Sequence, residues 1–219
     1  LLGVVPEPEF FRILSVADRP VHIQTTLPEP DDKLELPGRG AYLDLIAYRD
    51  FHIDADGPIM LASVQASQDA AGVRRGLPGG DPSLLIIPPI EQYRANYVFL
   101  TPDKYAFDFV VIVASTEALV TLDGQDVMEA GCARAAADGL TDQERGSSHS
   151  PAWVYRCQLS FPVVLPDAEA PNNVLPGIQN DGVHRIEASM PVLALVYGFD
   201  NYVSYAYAAG TQLSVINLK

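Results

Sequence analysis

Apolar and polar residues alternate with a period of two along most of the chain. Phe11, Ile13 and Ser15 alternate with Arg12, Leu14 and Val16, and Val21, Ile23 and Thr25 with His22 and Gln24. Successive side chains of a strand point to opposite faces, so this pattern predicts half-buried strands. The runs 97–100, 107–113, 192–199 and 202–207 are rich in aromatic and β-branched residues and read as strands too. Turn signals separate them: Pro37-Gly38, Asp56-Gly57-Pro58, Leu77-Pro78-Gly79-Gly80, Asp123-Gly124, Pro176-Gly177 and Asp181-Gly182. Eighteen prolines and sixteen glycines spread along the chain fit many short strands and oppose helices. One helix is expected, over 125–140, where alanines cluster around Cys132.

The strand pattern recurs. Leu36-Pro37-Gly38 precedes Ile53 to Ala62, and Leu175-Pro176-Gly177 precedes Ile186 to Leu195; Pro58 and Pro191 each lead an apolar strand. Upstream, Val16-Ala17 leads to Val21-His22-Ile23, and Val113-Ala114 leads to Val120-Thr121-Leu122. The offset between the copies grows from about 99 to about 133, which places an insertion over about 125–160 in the second. The expectation is an all-β fold of two related β-sandwich-like units packed together, 1–90 with a connecting segment and 91–219, with little helix. A chain of 219 residues has room for this. The segment 79–93 is too apolar for a free linker and is expected to pack against both units.

Composition narrows the function. The formal net charge is −14 and the 14 basic residues are scattered, Arg74-Arg75 being their longest run. Nucleic acid needs clustered cations and is set aside, as are anionic membrane surfaces. No apolar run reaches the length of a membrane span, so membrane insertion is not expected. The chain opens Leu1-Leu2-Gly3-Val4-Val5 without a basic leader, and we expect it to be part of a longer precursor with other modules.

Cys132 and Cys157 match no zinc spacing. They form a disulfide or remain two buried thiols; the disulfide is the expectation, because the Ala-, Gly- and Asp-rich segment between them has little else to order it. A disulfide favours an oxidising compartment. His22, His52, His149 and His184 are not spaced as metal pairs, and no Gly-x-Ser-x-Gly elbow is present. Gly80-Asp81-Pro82 could support cleavage of the Asp-Pro bond by the aspartyl carboxylate, but Ser83 follows where a histidine would assist; a turn is the simpler reading. Asp54, Asp56, Asp123, Asp126, Asn172, Asn173, Asn180 and Asp181 fall in turn-rich places without the EF-hand order, so loop Ca²⁺ is possible but not favoured, and no cofactor is expected.

The segment Tyr197 to Tyr207 is the most unusual. Asp200 and Asn201 break its alternation and predict a turn or bulge, while Tyr205 and Tyr207 share a strand face with Val203. Exposed, Asp200, Asn201, Tyr202, Tyr205 and Tyr207 would offer a recognition strip; buried, the tyrosines are core with hydroxyls at the rim, which is the favoured reading. This segment, together with Pro89-Ile90-Glu91-Gln92-Tyr93, 97–102 and Val120-Thr121-Leu122-Asp123-Gly124, resembles the N-terminal domain family of the IgG Fc-binding protein, from about Phe11 to Gly210. The resemblance implies a secreted or cell-surface domain with a binding or adhesive role and carries over no catalytic residue. The expectation is therefore an extracellular binding module for a protein or glycan ligand. A secreted glycan-active or self-cleaving enzyme and a structural spacer are the rivals.

Overall fold

A computed structural model describes residues 8–73, 77–103, 105–165 and 174–213. Leu1–Val5, Arg74-Arg75 and Asn172-Asn173 lie outside the described residues. The chain is almost all β, in two sandwich-like units.

The first unit pairs β4 (Tyr42–Ala47), β1 (Glu9–Ser15), β6 (Ile59–Gln65) and β7 (Leu84–Ile87) in one sheet, in that order. A smaller sheet pairs β3 (Lys33–Leu36), β2 (Val21–Thr25) and β5 (Ile53–Ala55). The inward residues of both sheets, Phe11, Ile13, Leu45, Val21, Ile23 and Leu36 among them, form one buried core. Ile13, Val21 and Ile23 have almost no solvent contact, as alternation with polar neighbours demands.

The second unit is built around β16, a 19-residue strand over Gly182–Asp200. Its N-terminal half pairs with β8 (Arg94–Thr101) and β10 (Val120–Leu122), and β10 pairs with β11 (Gln125–Asp126). Its C-terminal half pairs with β9 (Phe107–Ser115) and β17 (Val203–Ala208). Beyond β9 lie β13 (Ala152–Gln158) and β12 (Ala133–Ala136). The register of β16 against β8 breaks between Glu187 and Val192, where Pro191 has no N–H to give to a ladder. That break lets one strand turn from one sheet into the other. The core between the sheets contains Tyr97, Phe99, Val110, Ile112, Val120, Leu122, Ile186 and Val196. A hairpin of β14 (Phe161–Val164) and β15 (Val174–Ile178) follows β13.

The two units share an order of pairing. β1 runs between β4 and β6, and β6 is flanked by β7; β9 runs between β13 and β16, and β16 is flanked by β17. Ile13 faces Leu61, and Ile112 faces Ala194, at offsets of 99 and 133. In the smaller sheets the pairing differs by two residues: Ile53 faces Thr25, whereas Ile186 faces Leu122. The Leu-Pro-Gly tripeptides do not correspond. Leu36 ends β3 beside β2, but Leu175 lies in β15 beside β14.

The helix expected over 125–140 does not form. That stretch holds β11, a turn and β12; the Val127 and Cys132 N–H groups bond to the carbonyls of Val120 and Val127, and Gly131 is at φ +81°. Pairing with β13 overrides the helix preference of the alanines. Among the described residues the one α-helical turn is α1 (Asp142–Arg145), started by a capping box of Thr141 and Glu144. Cys132 and Cys157 are bonded across the β12–β13 pair, their Cα atoms 4.2 Å apart.

Candidate functional site: an acidic cleft beside the β16–β17 hairpin

The β16–β17 hairpin pairs Asp200 with Val203 around a loop of Asn201 and Tyr202, with Tyr202 at φ +54°. The Asp200 carboxylate accepts the Asn201 N–H at 2.6 Å, so Asp200 and Asn201 do form the expected turn. The hairpin is held from the first unit. Gly80 donates its N–H to the Asp200 carbonyl (3.0 Å), Asp81 donates its N–H to Ser204 Oγ (2.9 Å), and Tyr202 donates its N–H to Gln68 Oε1 (3.3 Å). Gly80 sits at φ +82°, and a Cβ there would come 2.3 Å from Ser204 Oγ and 2.9 Å from the Phe199 Cβ. Only glycine fits that place.

A cleft of about 410 Å³ opens beside this hairpin. Asp103, Tyr105, Gln179, Asp181, Asp200 and Asn201 supply its polar lining, and Pro78, Pro162, Leu175 and Pro176 its apolar wall. Three aspartates therefore line one concavity rimmed by prolines, whose rings have little freedom to lose on binding. Of the residues expected to bind, Asp200 and Asn201 line the cleft and Tyr202 stands exposed at the adjoining tip.

Tyr205 and Tyr207 do not line it. They are half-buried against the second core, stacked on each other at 6.2 Å. The Tyr207 hydroxyl donates to the Leu100 carbonyl and accepts the Leu100 N–H (3.1 Å), tying β17 to β8. The Tyr205 hydroxyl donates to Asp108 Oδ1 at 2.5 Å. Asp108 has no solvent contact, and its second oxygen accepts from Ser160 Oγ at 2.8 Å. Burial raises the Asp108 pKa, and the nearby Asp181 charge raises it further, while the Tyr205 and Ser160 hydroxyls and the nearby His184 oppose the rise. Burial, together with Asp108, pushes the Tyr205 pKa up in turn, so the phenol remains a donor. Ser160 Oγ also lies 3.5 Å from Asp181, which links this interior network to the cleft.

A second polar network has the outline of a catalytic triad without its access. His184 Nδ1 faces Asp123 at 2.7 Å, and Nε2 faces Thr101 Oγ1 at 3.1 Å and the Asn180 carbonyl at 2.9 Å. Thr101 and His184 are 1% and 2% exposed, and Thr101 Oγ1 already accepts the Gly182 N–H. These contacts tie β8, β16 and the Asp123-Gly124 turn together. Among the described residues, no three His, Cys, Asp or Glu side chains converge as a metal site.

Asp103, Tyr105, Gln179 and Asp181 come from the β8–β9 connection and the β15–β16 connection. Asp181 is visible in the sequence only as a turn residue, and nothing in the pattern brings it to Asp103. Their convergence depends on the two connections meeting at one end of the second unit.

The fold and the cleft define an all-β, disulfide-bonded domain with a concave acidic surface at one end. The family model for the IgGFc binding protein matches residues 4–198. The chain belongs to that family. No curated protein and no solved structure matches it.

Proposed function

We propose that this chain is an extracellular, non-catalytic binding module, and that the cleft beside the β16–β17 hairpin holds its ligand. Family membership supports binding as the role, and the disulfide suits a secreted or cell-surface place. No helix among the described residues is long and apolar enough to cross a membrane. The observation that carries the choice of site is that Asp103, Asp181 and Asp200 all line one proline-walled concavity. Carboxylates placed this way attract a cationic group and hold it by charge-assisted hydrogen bonds. A protein ligand presenting a lysine or arginine fits that chemistry. We read 1–90 and 91–219 as two copies of one β unit, and the whole as one module of a longer surface protein.

An array of extracellular proteins and glycans, probed with the wild type and with the variant Asp181→Asn/Asp200→Asn, tests this reading. The wild type should retain a protein ligand that the variant loses. Retention of glycans alone would replace the protein reading, and equal retention by both proteins would remove the cleft from the account.

A further inference from the structure

The larger sheet of the first unit leaves its outer face open. Its rows are Tyr42, Leu14 and Met60; then Asp44, Arg12, Ala62 and Ile86; then Ile46, Phe10, Val64 and Leu84. Tyr42, Ile46, Met60, Leu84 and Ile86 are 43–65% exposed. At ordinary strand spacings the field measures about 19 Å by 17 Å, roughly 300 Å², at the lower end of the largest apolar patches that monomers expose, which are often functional. On a chain of net charge −14 its one charged couple, Arg12 and Asp44, cancels through two hydrogen bonds of 2.7 and 2.8 Å.

The chain itself shows what covers such a face. In the second unit the corresponding residues are Phe109, Val111 and Val113 on β9, Leu193, Leu195 and Tyr197 on β16, and Arg156 on β13 at the place of Asp44. Here Leu193 is buried and the other apolar residues of the face are half-buried. The cover includes the first unit. Asp50, which follows β4, accepts from Arg156 at 2.5 Å, and Gly80 packs on Phe199 of the same face. In the second unit the segment that follows β13, in the position of Asp50 after β4, is the β14–β15 hairpin. That hairpin carries its own exposed apolar side chains, Phe161 (49%), Val163 (51%) and Ile178 (74%), outside the lining of the cleft.

We propose that a second copy of this chain seats its β14–β15 hairpin on the open face of the first unit, repeating between molecules the junction that joins the units within one. A head-to-tail contact of this kind leaves one face and one hairpin free at the ends and extends into a file of molecules. The contact is apolar and the molecules are acidic, so salt, which screens their repulsion, strengthens it.

Sedimentation velocity across a concentration series into the hundred-micromolar range tests the proposal. The variants are Met60→Glu/Ile86→Glu on the face and Phe161→Glu/Ile178→Glu on the hairpin, each checked for native circular dichroism. The wild type should grow past the dimer as concentration rises, and each variant alone should be a monomer. An equimolar mixture of the two should give a dimer and nothing larger, because one intact face meets one intact hairpin. If the glutamates disturb the sheet, Met60→Thr/Ile86→Thr keeps its strand preference and should weaken the assembly about tenfold or more. A wild type that stays monomeric, a hairpin variant that still dimerises, or a mixture that stays monomeric overturns the proposal.

Discussion

Replacing Tyr205 by phenylalanine tests whether the Asp108 network is a buried strut of the second unit. The ring remains, so packing against Tyr105 (4.8 Å) and Tyr207 (6.2 Å) is kept. What is lost is the hydroxyl that donates to Asp108 at 2.5 Å, and Asp108, without solvent contact, cannot recruit bulk water in its place. A hydrogen bond to a charged group contributes about 1.5–3 kcal/mol. With a urea m-value of roughly 2–3 kcal/mol/M, the midpoint should fall by roughly 0.5–1.5 M. The loss depends on pH with a definite sign. The folded pKa of Asp108 is raised above its unfolded value, so the stability its protonated form contributes is present below the unfolded pKa and lost as pH rises through the folded one. Removing a donor that favours the carboxylate raises the folded pKa further. The deficit of the variant should therefore be larger at about pH 7.5 than at about pH 5. Urea titrations of both proteins at the two pH values decide it. A deficit under about 0.5 kcal/mol at pH 7.5, or one that grows on acidification, refutes the reasoning.

Reduction of the Cys132–Cys157 bond, which closes a separation of 25 residues, should cost about 3.5 kcal/mol, read as the urea midpoint with and without reductant; thiol titration of the unfolded, unreduced protein should find none. Gly80→Ala forces a side chain onto Ser204 and Phe199 at φ +82° and should cost at least about 2 kcal/mol, with the largest rise in amide exchange along the β16–β17 hairpin. Arg145→Gln removes the guanidinium whose hydrogen bonds hold the Asp138 pKa down. Stability from that pair is present above the unfolded carboxylate pKa of about 3.9 and lost as pH falls through the lowered one, so the variant should be the less stable protein at pH 7 and converge with the wild type in acid.

Much of the fold was legible in the sequence. Period-two alternation located β1 and β2, because each has one face on a core and one away from it, and runs of aromatic and β-branched residues located β8 and β9. The disulfide was legible from the lack of any other order between the two cysteines. The helix expected over 125–140 was not real, since alanine-rich local preference yields to a strand partner that the sequence does not display. Pro191 was read as the start of a strand, whereas it lies inside β16, at the register break against β8. For the cleft, Asp200 and Asn201 stood out because they interrupt a tyrosine series. Asp103 and Asp181, 78 residues apart, are ordinary turn residues until the fold brings them together. Tyr205 and Tyr207 were legible as candidates for burial, but their partners Asp108 and Leu100 were not.

The central claim is that the acidic cleft is where this module binds. Amide hydrogen exchange of the domain, with and without a ligand retained on the array, tests it most directly. Protection should concentrate in 103–106, 179–181 and 200–202, and should vanish in Asp181→Asn/Asp200→Asn at the same ligand concentration. Protection elsewhere on the domain, unchanged by those substitutions, would contradict it.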